Sequence, residues 1–141
     1  MPSPNIFQRP APRVAPKLDP LTGLELRRAL MLHQAGQADE ATAIYEKILR
    51  DHPRQFDCLH FLGVARLQAG RHDEALPLIE RALELRPGMP ELLNTKGWLL
   101  RSLGRLPEAL ACLDEALAAD PELAEAAQRR AVVLEDLQRA G

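Results

Sequence analysis

The sequence is poor in aromatic residues, with one Trp, one Tyr and three Phe among 141 residues, or 4% of the chain. β-Branched residues are sparse as well. Both shortages argue against an all-β domain, whose pleated faces are filled by these side chains. Two cysteines, Cys58 and Cys112, are too few for a disulfide-stapled scaffold. No apolar run approaches the ~20 residues that a membrane-spanning helix needs, so no membrane insertion is expected. Serine occurs only at Ser3 and Ser102, which weakens any serine-nucleophile reading. A formal net charge of −2 excludes a strongly basic nucleic-acid binder as the default. No C-x-x-C, H-E-x-x-H or glycine-rich phosphate loop occurs. What the chain does contain is 46% hydrophobic and 27% charged residues, dominated by Ala, Leu, Arg and Glu. That is the material of one helical domain in a reducing compartment, with the cytoplasm as the expected location.

The first twenty residues differ from the rest. Pro2, Pro4, Pro10, Pro12, Pro16 and Pro20 fall there, half of the chain's 12 prolines. Proline blocks helix interiors and biases its predecessor toward extended backbone. A disordered, polyproline-leaning tail is therefore expected over residues 1–21. Arg9, Arg13 and Lys17 against Asp19 give it a net charge of +2. It has no apolar core segment of a secretory signal, and it lacks the character of a transit peptide. The tail reads either as an unstructured leader or as a docking arm in which Ile6 and Phe7 form a short anchor.

From Thr22 onward the chain repeats every 34 residues. Gly36, Gly70 and Gly104 share a column, as do Glu40, Glu74 and Glu108, and Ala41, Ala75 and Ala109. Tyr45, Ile79 and Leu113 form a large apolar column, and Leu49, Leu83 and Leu117 form another. Pro53, Pro87 and Pro121 close the rows. Gly63 and Gly97 share a column with Ala29 and Ala131.

Each column has a physical reason. The first glycines suit a left-handed residue that ends a helix. The acidic residues just after them suit the positive start of the next helix. Small residues at the Ala41 and Gly63 columns let two antiparallel helices approach closely. The closing prolines end the second helix of each pair. Pro107 fits a first helical turn, whereas Pro77 falls about one turn into a helix and predicts a slight kink or a late start. The pattern predicts an all-α chain of seven helices, over 24–35, 39–51, 56–69, 73–85, 90–103, 107–119 and 123–138, with no strand. The repeat domain is expected over 22–141, with repeats 22–55, 56–89 and 90–123 and a capping helix over 124–138. That last helix carries Glu125, Gln128, Arg129, Glu135 and Asp136 on its outer face, a pattern that suits either an end cap or a longer array continuing beyond Gly141.

These columns, cleanest in Leu62–Gly63, Gly70, Ala75, Ala82 and Pro87, resemble the tetratricopeptide repeat family. The resemblance covers residues 22–141. The family's Trp column holds Glu25, Leu59 and Leu93 here. The first row has Arg28–Ala29 and the third has Lys96–Gly97 where Leu–Gly is usual. Arg28 is expected at the open N-terminal end, and Lys96 is expected to carry its ammonium out to solvent. The phrase Phe56-Asp57-Cys58-Leu59-His60-Phe61-Leu62-Gly63-Val64 is similar to leading repeats of bacterial proteins that also carry a glycosyltransferase or sulfotransferase domain. No such domain fits in this chain.

The resemblance implies a superhelix, or α-solenoid, whose first helices line a concave groove. Carried over by position, the groove residues are Leu26, Leu30 and His33, then Asp57, His60, Val64 and Leu67, then Glu91, Asn94, Trp98 and Arg101. Gln128 and Val132 extend the wall from the capping helix. Spacings of three and four keep each set on one helical face. The mixture suits a peptide with a few hydrophobic anchors. Trp98 reads either as a binding hot spot or as packing against the capping helix near Arg129 or Val132. The family's carboxylate clamp is matched only by Asn94, so chaperone EEVD-type tails are not the expected ligand. The asparagine column of sugar-transferase repeats reads Arg27, Phe61, Thr95 and Arg129.

Catalytic constellations are poor. Cys58 and His60 stand two apart and so point to different helical faces. A metal site from Cys58, His52 and His60 lacks four convergent ligands. No catalytic residue, metal or cofactor is expected. Cys58 and Cys112 read as small helix-packing residues.

The expected function is a noncatalytic adaptor or scaffold binding a protein or peptide partner. Alternatives are a secretion-type chaperone, an accessory part of a transferase system, and a self-assembling scaffold. Self-association is expected through the tail or through the open superhelix ends. Residues 106–141 carry a net charge of −5, opposite in sign to the tail.

Overall fold

The computed structural model describes residues 18–141, and the expected tail up to residue 17 lies outside them. Seven helices follow in order: α1 Pro20–Gln34, α2 Ala38–Asp51, α3 Phe56–Gln68, α4 His72–Leu85, α5 Pro90–Ser102, α6 Leu106–Ala119 and α7 Ala124–Ala140. No strand occurs among the described residues.

The helix ends follow from named residues. Asp19 caps α1: its carboxylate accepts from the Thr22 N–H at 3.2 Å and from the Thr22 hydroxyl at 2.6 Å. Those two bonds hold the Asp19 carboxyl below its usual range. Pro20 occupies the first turn, where its missing N–H costs nothing. The helix therefore starts earlier than expected, and Pro20 and Leu21 belong to it and not to the tail. Gln55 caps α3 in the same manner, its side-chain oxygen accepting from the Cys58 N–H at 2.8 Å.

Gly36, Gly70 and Gly104 take φ values of 82°, 78° and 77°. After each, the next N–H reaches back to close a Schellman motif: Gln37 to the Leu32 carbonyl, Arg71 to Arg66 and Arg105 to Leu100, at 2.8, 2.8 and 2.9 Å. The chain thus reverses within three residues at the same place in every repeat. Pro77 does not delay α4, which begins at His72 and runs through the proline. Its ring is exposed, so the carbonyl left without a donor lies on the solvent side.

Packing follows the columns. Ala41, Ala75 and Ala109 are fully buried, and so are Tyr45, Ile79 and Leu113. A Cβ at Gly97 would lie 2.8 Å from Leu113 Cγ and 3.2 Å from the Ala109 carbonyl oxygen, which is why that column stays small. Leu26, Ala29, Ala41, Tyr45, Ile48, Cys58 and Leu62 form one core cluster. A larger one runs from Phe56 through Ile79, Leu92, Leu99 and Leu113 to Val133, and Leu49 and Leu78 touch both. Arg28 is exposed among the described residues, and Lys96 is half-buried.

Each helix packs on the next in sequence. In addition α1 touches α3, α3 touches α5 and α5 touches α7, whereas α2, α4 and α6 do not touch one another. A row of pairs joined on one side and splayed on the other is concave on the joined side. The first helices therefore form the inner wall. No described helix is long and apolar enough to cross a membrane.

Candidate functional site

The inner wall holds the expected groove residues. Leu30 and His33 stand on α1, His60, Val64 and Leu67 on α3, Asn94, Trp98 and Arg101 on α5, and Gln128 and Val132 on α7. Eight of the ten are half-buried, which leaves part of each side chain to solvent, and Gln128 is exposed. Asn94 differs: it is 3% exposed, and its amide nitrogen donates to Glu125 Oε2 at 3.3 Å. Its amide oxygen is buried with no partner among the described residues. A ligand reaches Asn94 only if Glu125 moves. Leu26 corrects the sequence expectation outright. It lies in the core with Tyr45 and Ile48, because the interface between α1 and α2 turns it inward.

The N-terminal half of the wall is a continuous aromatic chain. His33 meets Tyr45 edge-on at 6.1 Å, Tyr45 stacks on Phe61 at 6.4 Å, and Phe61 stacks on His60 at 4.9 Å. His60 tilts against Phe56 at 6.0 Å, and the Arg86 guanidinium caps the Phe56 ring at 3.8 Å. The Tyr45 hydroxyl donates to His33 Nδ1 at 3.3 Å, and His33 Nε2 donates to the Gln68 side-chain oxygen at 2.9 Å. A fully buried tyrosine hydroxyl is thereby satisfied, and α1 is tied to α3. Burial, with Cys58 adding to it, pushes the Tyr45 pKa up to about 12. Burial also lowers the His60 pKa, while Asp57 and Glu91 oppose the shift and Arg86 adds to it. Burial thus favours the neutral form of the imidazole.

The C-terminal half is a ladder of charges. Two guanidiniums stand over the Trp98 ring, Arg101 at 4.6 Å and Arg129 at 5.0 Å from its centroid. Arg101 donates to Asp136 at 2.6 Å, and Arg129 pairs with Glu125 at 2.7 Å. Burial works against the charge of Arg129, and Glu125 opposes that effect. Trp98 therefore does pack against α7 beside Arg129, and it also keeps an open edge.

The sequence marked positions on the first helices but gave no sign of the partners that link them. Tyr45 stood out only as a core column, and Phe61 only as a departure from a family column. The pairing of Phe56 with Arg86 joins residues 30 apart, and no local spacing signals it. The Cys58 thiol is buried, and that burial, followed by the Asp57 charge, pushes its pKa up to about 12, so it stays protonated and unreactive. Among the described residues, no group of three or more His, Cys, Asp or Glu could hold a metal ion.

Two family models described as tetratricopeptide repeat match the chain, one over residues 26–90 and one over residues 66–132. Together they span 26–132. No curated protein matches. Among solved structures, the first tetratricopeptide repeat domain of Spaghetti (RPAP3), bound to the HSP90 peptide SRMEEVD, superposes with a TM-score of 0.77 at 18% identity. The match covers 83% of this chain and 93% of that one. MamA from MSR-1 superposes at 0.74 with 24% identity, covering 86% of this chain and 68% of MamA. A mutant of the Thermobaculum terrenum O-GlcNAc transferase superposes at 0.75 with 24% identity over 80% of this chain. This chain spans only 22% of the transferase's length.

Proposed function

The chain belongs to the tetratricopeptide repeat family, and from that premise we propose that it is a noncatalytic interaction module binding a peptide segment of a partner protein along its inner wall. The observation that carries this reading is the composition of the surface the wall leaves open. Leu30, Val64, Leu67 and Val132 remain partly open to solvent beside His60, Trp98 and Arg101. Apolar floor with a few placed polar groups is the usual make-up of a peptide groove. The two halves ask for different things. The aromatic half around His60 and Val64 takes an aliphatic anchor. The half around Arg101 takes a carboxylate, which exchanges with Asp136 for the guanidinium.

The peptide seen on the RPAP3 domain supports peptide recognition by this fold. Its carboxylate-rich EEVD end does not suit this wall, where the one Asn at a clamp-like position lies under Glu125. A reducing cytoplasmic setting suits the free thiols of Cys58 and Cys112.

The test is selection of peptides from a displayed library on the immobilised full chain, followed by titration read through the fluorescence of Trp98. Selected peptides are expected to share an aliphatic anchor and an acidic residue. Val64→Arg and Arg101→Ala are each expected to weaken them at least about tenfold, or ~1.4 kcal/mol, at a temperature where both variants are folded; Arg101→Ala, which gives up the bond to Asp136, is expected to melt somewhat lower. Peptides bound equally by wild type and both variants would place recognition on another surface and sink the reading.

A further inference from the structure

The largest unburied apolar side chains are not on the inner wall but on α1. Leu21 is 73% exposed, Leu24 is 58% exposed and Met31 is 69% exposed. They follow one another at spacings of seven or less on one helical face, with Arg28 between Leu24 and Met31. A shallow depression there is lined by Leu24, Arg27, Arg28, Met31, Leu32 and Ala35.

The 34-residue period says what this face is. The positions matching Leu24 in the next two repeats are Cys58 and Leu92, both fully buried. Those matching Met31 are Ala65 and Leu99, also buried. Cys58 and Leu62 enter the core cluster of the first helical pair. In α3 and α5 this face packs on the preceding pair of helices. In α1 the same face is present, with Leu and Met about as large as Leu92 and Leu99 of α5, and with nothing on it among the described residues.

The other end is the reverse case. Ala131 occupies the column of Gly63 and Gly97, and Ala127 that of Leu59 and Leu93. Gly97 is covered by Leu113 of its partner helix and Leu93 is buried, yet Ala127 and Ala131 are exposed on α7, with Leu134 half-buried beside them. One end of the molecule thus offers large apolar residues with Arg27 and Arg28. The other offers small residues with Glu135, in a segment, residues 106–141, of net charge −5. Arg27, Arg28 and Glu135 form no ion pair among the described residues. Each end complements the other better than itself, since two α1 faces together would oppose their arginines.

We propose that copies of this chain associate head to tail, the α1 face of one molecule (Leu21, Leu24, Met31, with Arg27 and Arg28) seating on the α7 face of the next (Ala127, Ala131, Leu134, with Glu135). Such a contact is heterologous. Unless its rotation closes a ring, it propagates into an open row. The arginine–carboxylate attraction lies at the rim, so it weakens with salt.

Sedimentation of the full chain across a concentration series tests this. Wild type is expected to gain mass with concentration, less so at high salt. Leu24→Glu/Met31→Glu disables the α1 face and Ala131→Arg disables the α7 face. All three positions are exposed, so both variants are expected to melt like wild type and to stay monomeric alone. Mixed in equal amounts they still hold one good face each, and a dimer with no larger species is the expected result. Wild type that stays monomeric up to millimolar concentration overturns the proposal. So does association by the Ala131→Arg variant equal to wild type, which would mean that α1 pairs with α1. Association that survives both variants overturns it in favour of another surface. A monomeric wild type that associates only after Ile6→Asp/Phe7→Asp overturns it in favour of the chain's own N-terminal segment as the cover.

Discussion

Gly63 and Gly97 hold the same place in successive repeats, yet alanine is expected to act differently at the two. At Gly97 the new methyl meets Leu113 at a branch carbon and the Ala109 backbone oxygen, neither of which swings away. At Gly63 it meets the Ile79 side chain, Cδ1 at 2.5 Å and Cγ1 at 2.9 Å, and no backbone atom as near as the one at Gly97. Alanine gains ~1 kcal/mol of helix propensity over glycine at either site, and overpacking costs about 1–3 kcal/mol. Gly97→Ala is therefore expected to lower stability in urea unfolding, and Gly63→Ala to lower it less. Gly23→Ala in α1, with no described atom within 4 Å, is expected to raise it. Equal losses at 63 and 97 would contradict this reading of the packing. His60 gives a second expectation. Its folded pKa lies below the ordinary 6.5 because burial favours the neutral ring. The unfolded chain then binds the proton first, so stability falls as pH drops below that ordinary value and levels off below the folded one. His60→Gln is expected to flatten the loss measured between about pH 7 and about pH 5.5. An unchanged slope would assign the loss to other groups.

Among the helices, α4 has a removable flaw. Pro77 takes away the N–H that would bond the Asp73 carbonyl, and it sits on the exposed face. Pro77→Ala restores that bond without touching the core and is expected to stabilise by roughly 1–3 kcal/mol in urea unfolding. A neutral result would mean that water already satisfies the carbonyl. All seven helices were legible in the sequence, because glycine, acidic and proline columns mark both ends of each pair. The start of α1 was not. Pro20 closes a run of prolines and reads as a breaker, while the Asp19 bonds to Thr22 make it a first-turn residue. The wall was legible as a set of positions at helical spacing. Its partners were not, because His33 with Gln68 and Arg101 with Asp136 are each 35 residues apart. One residue beyond the repeat length places them on neighbouring first helices, but only the fold shows which rotamers meet.

Over the whole molecule, burial is uneven. Only Leu26 and Ala29 of α1 and Ala126 and Val133 of α7 are buried, against seven residues of α5. The two end helices are expected to open first, and hydrogen exchange at low protein concentration is expected to release their amides well before those of α5. Uniform exchange along the chain would mean that the array opens as a single unit. The same inequality makes the two ends the parts that gain most from a neighbour. Because the first helices touch and the second ones do not, the array resembles a spring hinged along its inner edge. Closing it further compresses packed helices, a stiff direction, whereas opening it must part only a few cross-links. Those are His33 to Gln68, Asn94 to Glu125 and Arg101 to Asp136. On the proposed function, a guest that takes up those side chains would release links between neighbouring first helices, and occupancy of the wall would then couple to the length of the molecule.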